Sequence, residues 1–488
     1  MKIKSLEADN HSVLGTFRYD FEKDKVVTLL VGENGSGKTR FIELIHTLLD
    51  KSFRVWEIPE WNNSGISRIK LSVQLDDIEK SNLAQFKIKD GDTQEASLGS
   101  GDIYFEATQK TQGWNDIEAY MLNDDGVTYS KLPNEFKMAL AADKPFAKAL
   151  RMKCRYSSVQ INFDYKPVVS FSEIVDDDEK VQTKSTVSLA EEISKLLVST
   201  YYRDSAYLAE ESKKGKAHKS FKGDFDRFKD AYDELFATKE IVGIKQDGTD
   251  NKIILRNIVS GKEFGIDGLS SGEQQVVYRV GYLLKHLNIK NGGVVFIDEP
   301  ELSLHPKWQE GYIPFLNKIF GDDIQFIIAT HSPYIVKSGI DNSEVSISKL
   351  STESGNLTDD KLHHTSKLGH ATFAEANYKA FDIASEELHT ELYLALQRTY
   401  SPERWDAGVK KYVDGMPWKL DQVISKETGV TTLPAWKDVN SGRSCTETIM
   451  TFIRNLMHHG NDAVARGRGR KYTESELRKS IEEMLSLL

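Results

Sequence analysis

Cysteine is almost missing from this chain: its 488 residues include two, Cys154 and Cys445. They stand far apart and without metal-ligand spacing. That excludes a disulfide framework or a cysteine zinc site and makes a reducing, cytoplasmic setting the expectation. Long hydrophobic runs are missing too. None approaches the ~20 residues of a membrane span, and the stretch Met1 to Glu7 holds no apolar signal core, so no membrane contact is expected. There is no excess of positive charge either. Lys and Arg total 64 against 74 Asp and Glu, a formal net charge of −10, which excludes a wholly basic nucleic-acid coat and leaves only local basic patches. Internal repeats and long heptad runs are absent, so any insertion is globular or short-armed rather than a long coiled coil. What is present, 39% hydrophobic and 28% charged residues, supplies sizeable cores in a globular chain. The length predicts about three domains.

The most informative stretch is Gly32-Glu33-Asn34-Gly35-Ser36-Gly37-Lys38-Thr39. It reads G-x-x-x-x-G-K-T between an apolar run, Val26 to Val31, and helical spacing at Phe41, Ile42, Leu44 and Ile45. Strand, glycine loop and helix N-terminus together make a phosphate-binding loop. Gly32, Asn34, Gly35 and Gly37 let backbone N–H groups converge on an anion where the helix dipole also favours negative charge. Lys38 is placed to reach the β- and γ-phosphates of ATP, and the Thr39 hydroxyl to ligate Mg²⁺.

A second group lies far downstream. Leu269-Ser270-Ser271-Gly272-Glu273 opens a helical stretch and, taken alone, reads as a helix cap. It stands just upstream of Val294 to Ile297, a buried strand ending in Asp298-Glu299-Pro300. Side chains alternate along a strand, so the two carboxylates take separate roles: Asp298 on Mg²⁺ and Glu299 on the attacking water. Gln325 to Ala329 is a further buried strand, followed by Thr330-His331-Ser332-Pro333. His331 therefore falls at the carboxyl edge of a parallel sheet, where ligands gather.

Taken together, these residues resemble the ABC-type ATPases, and more closely their SMC-like, OLD-like branch, for which Asp298-Glu299-Pro300-Glu301-Leu302-Ser303-Leu304-His305-Pro306 is the most specific stretch. The resemblance covers 1–50 and 255–345. It implies an α/β fold: an ABC-type P-loop ATPase head, an inserted mixed α/β region over 51–254, and an all-α C-terminal domain over 346–488. It also implies ATP and Mg²⁺ as cofactors, His331 as a switch residue, and a homodimer or higher oligomer. In such a dimer Ser271 and Gly272, with Glu273 of the same signature, serve the nucleotide held by the other head. The family's glutamine loop stays open between Gln160 and the region of Arg203.

The rest of the chain is less specific. The stretches 68–75 and 103–108 predict an antiparallel region beside the ATPase core. Predicted helices cover 133–150, 189–197 and 225–237, with strands at 160–163 and 198–202. The acidic cluster at 176–179 reads as a solvated loop. So does the basic, glycine-punctuated run at 212–223, with a nucleic-acid contact as its alternative. After about residue 345 the pattern turns helical, with a candidate helix at 405–413; the segment 446–459 gives the strongest helix, and 473–488 closes the chain with Thr473 and Glu476 spaced as a capping box.

Within that helix lies Arg454-Asn455-Leu456-Met457-His458-His459-Gly460, which resembles the R-N-x-x-x-H motif of HEPN ribonucleases through Arg454, Asn455 and His459. The resemblance implies metal-free cleavage, with His459 in proton transfer and Arg454 on the charged phosphorane. Residues five apart on a helix diverge by about 140°, so such a site would be completed by a second copy near a helix end, for which Gly460 is the candidate. The alternative is an ordinary helix C-terminus whose dipole favours His458 and His459. Glu386, Glu387 and His389 are either support for such a site or an exposed helix face. The basic run 466–471 suits phosphate contact or a solvated loop equally.

In overall plan the chain resembles bacterial anti-phage ATPases, the Septu ATPase and those of retron loci. That implies control of a nuclease acting on RNA or DNA, in this chain or in a separate partner such as an HNH nuclease. A DNA-repair clamp of the SMC type is the rival.

Overall fold

The computed structural model describes residues 1–49, 67–84, 87–90, 94–97, 101–111, 114–123, 128–132, 154–157, 189–213, 223–247, 250–286, 293–302, 304–362, 366–400, 417–463 and 470–488. The predicted segments 133–150, 160–163, 176–179 and 405–413, with most of 212–223 and of 466–471, lie outside them. The chain divides into two compact units, Met1–Leu362 and His363–Leu488.

The first unit opens with β1 (Lys2–His11) and β2 (Gly15–Asp20), which lead into β3 (Val27–Val31) and the helix Lys38–Leu49. Next come β4 (Ser67–Gln74), a short hairpin of β5 (Lys87–Asp90) and β6 (Gln94–Ser97), then β7 (Ile103–Thr111), β8 (Trp114–Leu122) and β9 (Tyr129–Lys131). Except for the hairpin, these join β1 and β2 in one antiparallel sheet of order β2-β1-β4-β7-β8-β9. The antiparallel region expected beside the ATPase core thus completes the sheet begun by the N-terminal strands. Its strands alternate in burial, as a sheet with one face on a core requires.

The second sheet combines β10 (Cys154–Ser157), β14 (Gly293–Asp298), β15 (Ile324–Ala329), β3, β16 (Val345–Glu353) and β17 (Asn356–Lys361), in the order β10-β14-β15-β3-β16-β17. All its pairs are parallel except β16 with β17. Every residue of β3, β14 and β15 is buried, the mark of strands covered on both faces. The helix Lys38–Leu49 contributes Phe41, Ile42, Ile45 and Leu48 to a core shared with the inner face of the antiparallel sheet. The Phe41 ring lies 5.0 Å from Tyr19 and 6.0 Å from Phe17. Such aromatic pairs contribute about 0.5–1.5 kcal/mol beyond area burial and hold the helix N-terminus against the sheet edge. A third, three-stranded sheet of β11 (Lys239–Asp247), β12 (Asp250–Asn257) and β13 (Glu263–Gly265) precedes the helix Ser271–His286.

Two expectations are corrected in this unit. Val198 to Tyr202 is not a strand; it lies in the helix Leu189–Lys213. Its β-branched and aromatic residues favour a strand, but Ser194, Leu197 and Val198 are buried at helical spacing, and the helix packs on Ser271–His286. Tertiary packing overrides weak propensity here. The residues after 345 also do not turn helical at once. The first four of β16 are buried, and Val345 to Lys349 pair with Val27 to Val31, so the sheet continues to Lys361.

The second unit packs the helices Phe373–Phe381, Glu386–Tyr400, Pro417–Ile424, Ile449–Ala463 and Glu474–Leu487 around Leu388, Leu392, Leu396, Ile453 and Ile481. A two-residue ladder, β18 (Trp436–Lys437) with β19 (Ser444–Cys445), adds a small β element to the expected helices. Thr473 and Glu476 form a complete capping box on the last helix. The helix bearing Arg454 does not end at Gly460; it runs on to Ala463.

Candidate ATP site

The phosphate loop follows β3 directly. Gly32 has φ +140°, and a Cβ there would meet the Leu350 carbonyl oxygen at 2.3 Å, so only glycine lets the chain leave the strand. Gly37, at φ +92°, would place a Cβ 2.7 Å from the Leu14 side chain. The ammonium of Lys38 is folded back over the loop, donating to the carbonyls of Gly32 (3.0 Å) and Glu33 (2.9 Å) and to Ser36 Oγ (3.3 Å). Burial lowers the Lys38 pKa; Asp298, Glu299 and Glu301 oppose that shift. Three carboxylates from the end of β14 and the turn after it therefore act electrostatically on the loop's lysine.

One bond joins the two distant motifs: Thr39 Oγ1 donates to Asp298 Oδ2 at 3.0 Å. Asp298, the last residue of β14, is 3% exposed. A hydroxyl and a carboxylate at that separation are hard oxygen donors of the kind Mg²⁺ takes, with phosphate oxygens and water completing its shell. Among the described residues no group of three or more His, Cys, Asp or Glu could hold a metal ion. The donor set thus fits a magnesium nucleotide rather than a metal held by protein alone.

Glu299 has φ +45°, left-handed backbone rare outside glycine, and its N–H donates to the Ala329 carbonyl at 2.9 Å. A non-glycine residue in this region carries strain of order 1 kcal/mol, which persists where surrounding bonds hold it. Here the bond to β15 holds it, and the chain turns sharply between the two carboxylates.

Glu301 received no role from sequence and proves central. Its carboxylate accepts from Thr330 Oγ1 (2.9 Å) and from the His331 N–H (2.6 Å), fastening the end of β15 to the turn after β14. Burial raises its pKa against those bonds. The network continues through Ser332, whose hydroxyl lies 2.5 Å from Gln309 Oε1 and also caps the helix Pro333–Ile340. His331 is thereby fixed in its backbone. Its pKa is lowered by burial and then by the Lys38 ammonium, while Glu299 opposes, so the neutral imidazole is favoured. The signal that could have revealed Glu301 was present: a third carboxylate two residues after Glu299, ahead of a strand followed by Thr-His.

The signature is built differently. Ser270 donates to Glu273 Oε2 through its N–H (2.8 Å) and its hydroxyl (2.7 Å), and Lys239 Nζ lies 2.7 Å from the same oxygen. Glu273 is thus a buried capping residue paired with β11, whereas Ser271 is exposed. The turn is thus capped as the helix-cap reading expects, through Ser270 and Glu273.

These bonds assemble Lys38, Thr39, Asp298, Glu299, Glu301 and His331 at the carboxyl edge of β3, β14 and β15. The comparisons agree with that geometry: the family model for the AAA ATPase domain (AAA_15) matches residues 1–336. The chain belongs to this AAA ATPase family. Nucleotide binding follows from membership. The chain is 39% identical over 88 residues to the retron Vc95 probable ATPase of Vibrio cholerae serotype O1 biovar El Tor, covering 16% of this chain and 17% of that protein. It is 40% identical over 76 residues to the retron Ec83 probable ATPase of Escherichia coli, 14% of each. It is 30% identical over 99 residues to the Septu protein PtuA of Bacillus thuringiensis, 18% of this chain and 25% of that one. The matched stretches thus span a quarter or less of these relatives. Among solved structures, an SMC head bound to the C-winged helix domain of ScpA covers 74% of this chain and 98% of its own at 13% identity and a TM-score of 0.42. The SMC head domain from Thermotoga maritima covers 74% and 100% at 13% and 0.39.

Arg454, Asn455 and His459 lie in the second unit. Arg454 Nη1 lies 3.3 Å from Asn455 Oδ1, and its guanidinium stands 6.0 Å from the centre of the Tyr393 ring. Asn455 is 9% exposed, and its amide donates to Glu447 at 3.1 Å. His458 and His459 are exposed. Burial, Arg454 and His459 together lower the His458 pKa. His389 is not on an exposed face. It is fully buried, 3.0 Å from Ser480 Oγ and stacked on Tyr393, and burial and then His458 push its pKa down to about 3. Among the described residues no helix is long and apolar enough to cross a membrane.

Proposed function

We propose that this chain hydrolyses ATP to ADP and phosphate and acts as the regulatory engine of an anti-phage defence system. The observation that carries the reading is the Thr39–Asp298 bond at 3.0 Å, which joins a complete phosphate loop to the carboxylate strand. The retron and Septu proteins are the relatives whose names point to defence.

In this reading the loop N–H groups and Lys38 hold the β- and γ-phosphates. Thr39 and Asp298 would hold Mg²⁺, which draws charge off the phosphates when bound. Glu299 orients the attacking water, and neutral His331 donates a hydrogen bond toward the departing γ-phosphate. The exposed Ser271, with Gly272, completes the site of a second copy, so two heads close on two nucleotides. Head closure then governs a nuclease acting on RNA or DNA.

Two effectors fit. One is a ribonuclease of the HEPN type in the second unit, with Arg454 and His459 shared across two copies. The other is a separate nuclease partner, as an HNH enzyme beside a Septu ATPase. The course of the helix through Gly460 to Ala463 keeps Arg454 and His459 on different faces within one copy, so the first requires the dimer.

RNA integrity, including tRNA, after incubation with the full chain with and without ATP separates the two. Cleavage lost in both Arg454→Ala and His459→Ala proteins places the nuclease in this chain. ATP hydrolysis without RNA cleavage assigns it to a partner. Absence of hydrolysis in the unmodified protein with ATP and Mg²⁺ would overturn the ATPase reading itself.

A further inference from the structure

The outer face of the antiparallel sheet is not used by the ATP site. A trough of about 360 Å³ crosses it, floored by β1 and β4 and walled by the chain between β2 and β3. Its lining carries six cations, Lys2, Lys4, Arg18, Lys23, Lys25 and Lys70, against three carboxylates, Glu7, Asp20 and Glu22. This local excess is the reverse of the chain's net charge of −10.

The carboxylates are already engaged. Arg18 pairs with both Asp20 (2.9 Å) and Glu7 (3.3 Å), and Glu22 accepts from Ser346. Among the cations Lys4 lies 3.5 Å from Asp102, and Lys25 donates to the Ser343 carbonyl at 2.6 Å. Lys2, Lys23 and Lys70 have no carboxylate partner among the described residues. Lys70 instead sits 4.2 Å above the Tyr104 ring.

Aromatic rings stand at the same place. Tyr104 and Tyr120 stack at 4.6 Å and 11° from directly opposed positions on β7 and β8. Tyr129 on β9 meets Tyr104 edge-on at 4.7 Å, lines the trough and is 42% exposed. Tyr104 is flanked by Tyr120 and by Lys70, whose ammonium also lies 5.9 Å from the centre of the Tyr129 ring, and Tyr129 offers the accessible aromatic surface.

We infer that this trough is a binding site for a single-stranded nucleic acid, its phosphates on Lys2, Lys23 and Lys70 and a base against Tyr129. Lysines without carboxylate partners beside an exposed ring on a sheet face match the two interactions that single strands need, backbone neutralisation and base stacking. A duplex keeps its bases stacked internally and leaves Tyr129 nothing to stack on. An acidic peptide uses the lysines and not the ring. The inference does not depend on the ATP site.

The test is fluorescence anisotropy of labelled oligo(dT) and oligo(U) with the full chain over a salt series. The proteins are the unmodified chain, a Lys2→Gln/Lys23→Gln double variant, Tyr129→Ala and Tyr129→Phe. Tyr129→Ala should weaken binding about tenfold and Tyr129→Phe little, because the stacking face is retained. The double variant should weaken it by a similar factor and lower the slope of log K against log salt by about 1.4, at roughly 0.7 per lost phosphate contact. All variants should hydrolyse ATP at the unmodified rate, which shows that they are folded. No binding by the unmodified chain at low salt would overturn the site. So would equal binding by all variants, or competition by a polyglutamate peptide that Tyr129→Ala leaves unchanged.

Discussion

Thr39 and Asp298 are 259 positions apart in sequence and share a 3.0 Å hydrogen bond. That contact makes one site of two motifs. Asp298→Asn keeps the shape but removes the charge that would hold the metal. Its ATP turnover should fall by about 10²–10³, the usual cost of one preorganised electrostatic partner. Lys38→Ala should go further and abolish ATP binding itself. Turnover assays and binding of a fluorescent ATP analogue check the two variants.

Glu299→Gln keeps the size and hydrogen bonding of the side chain and removes its basicity. ATP should still bind while hydrolysis stalls, so a dimer stable to gel filtration should accumulate with ATP and not with ADP. Ser271→Arg, which places bulk and charge at the proposed face, should prevent that dimer and leave ATP binding to the single copy intact. Light scattering on the eluted peaks reads both outcomes.

Glu301 has a positioning role. Glu301→Ala leaves the Thr330 hydroxyl and the His331 N–H without their acceptor. Unsatisfied groups of this kind cost about 1–3 kcal/mol. Urea unfolding should show that loss in the alanine variant, whereas Glu301→Gln keeps an acceptor and should recover most of it. Turnover should follow the same order through misplacement of His331.

Acidity should affect the two units through their histidines. His331 is held below its ordinary 6.5 by burial and by Lys38, so the neutral donor persists below that pH. The acid limb of turnover attributed to it should lie under 6.5, and His331→Gln should remove that limb. His389 in the second unit is held down to about 3 against 6.5 in the unfolded chain. Between those values the unfolded state binds the extra proton. The stability His389 contributes is therefore complete above pH 6.5 and declines as pH falls toward 3. His389→Gln should flatten that decline in thermal unfolding followed against pH.

The phosphate loop, the carboxylate pair and the strand leading to His331 were legible because each is local. A glycine spacing, an apolar run and the polar residues that end it lie within a dozen positions. The capping box at Thr473 and Glu476 was legible for the same reason. Val198 to Tyr202 was misread because its residues prefer a strand, and only packing against the helix Ser271–His286 made it helical. The end of the ATPase sheet was misplaced because β16 is defined by its parallel partner β3, which lies over 300 residues earlier.

The sequence alone determined that a G-x-x-x-x-G-K-T loop follows one buried strand and that a second buried strand ends in adjacent carboxylates, since backbone freedom and side-chain chemistry are written residue by residue. Tertiary structure decided how they act together. It joined Thr39 to Asp298 and gave Glu301 the task of holding His331. It turned Glu273 into a cap paired with Lys239 and buried His389. It also set Lys70 over Tyr104 beside the lysines of the trough. Each depends on groups from distant strands meeting at fixed distances, and those distances arise only when the sheets close on their shared core.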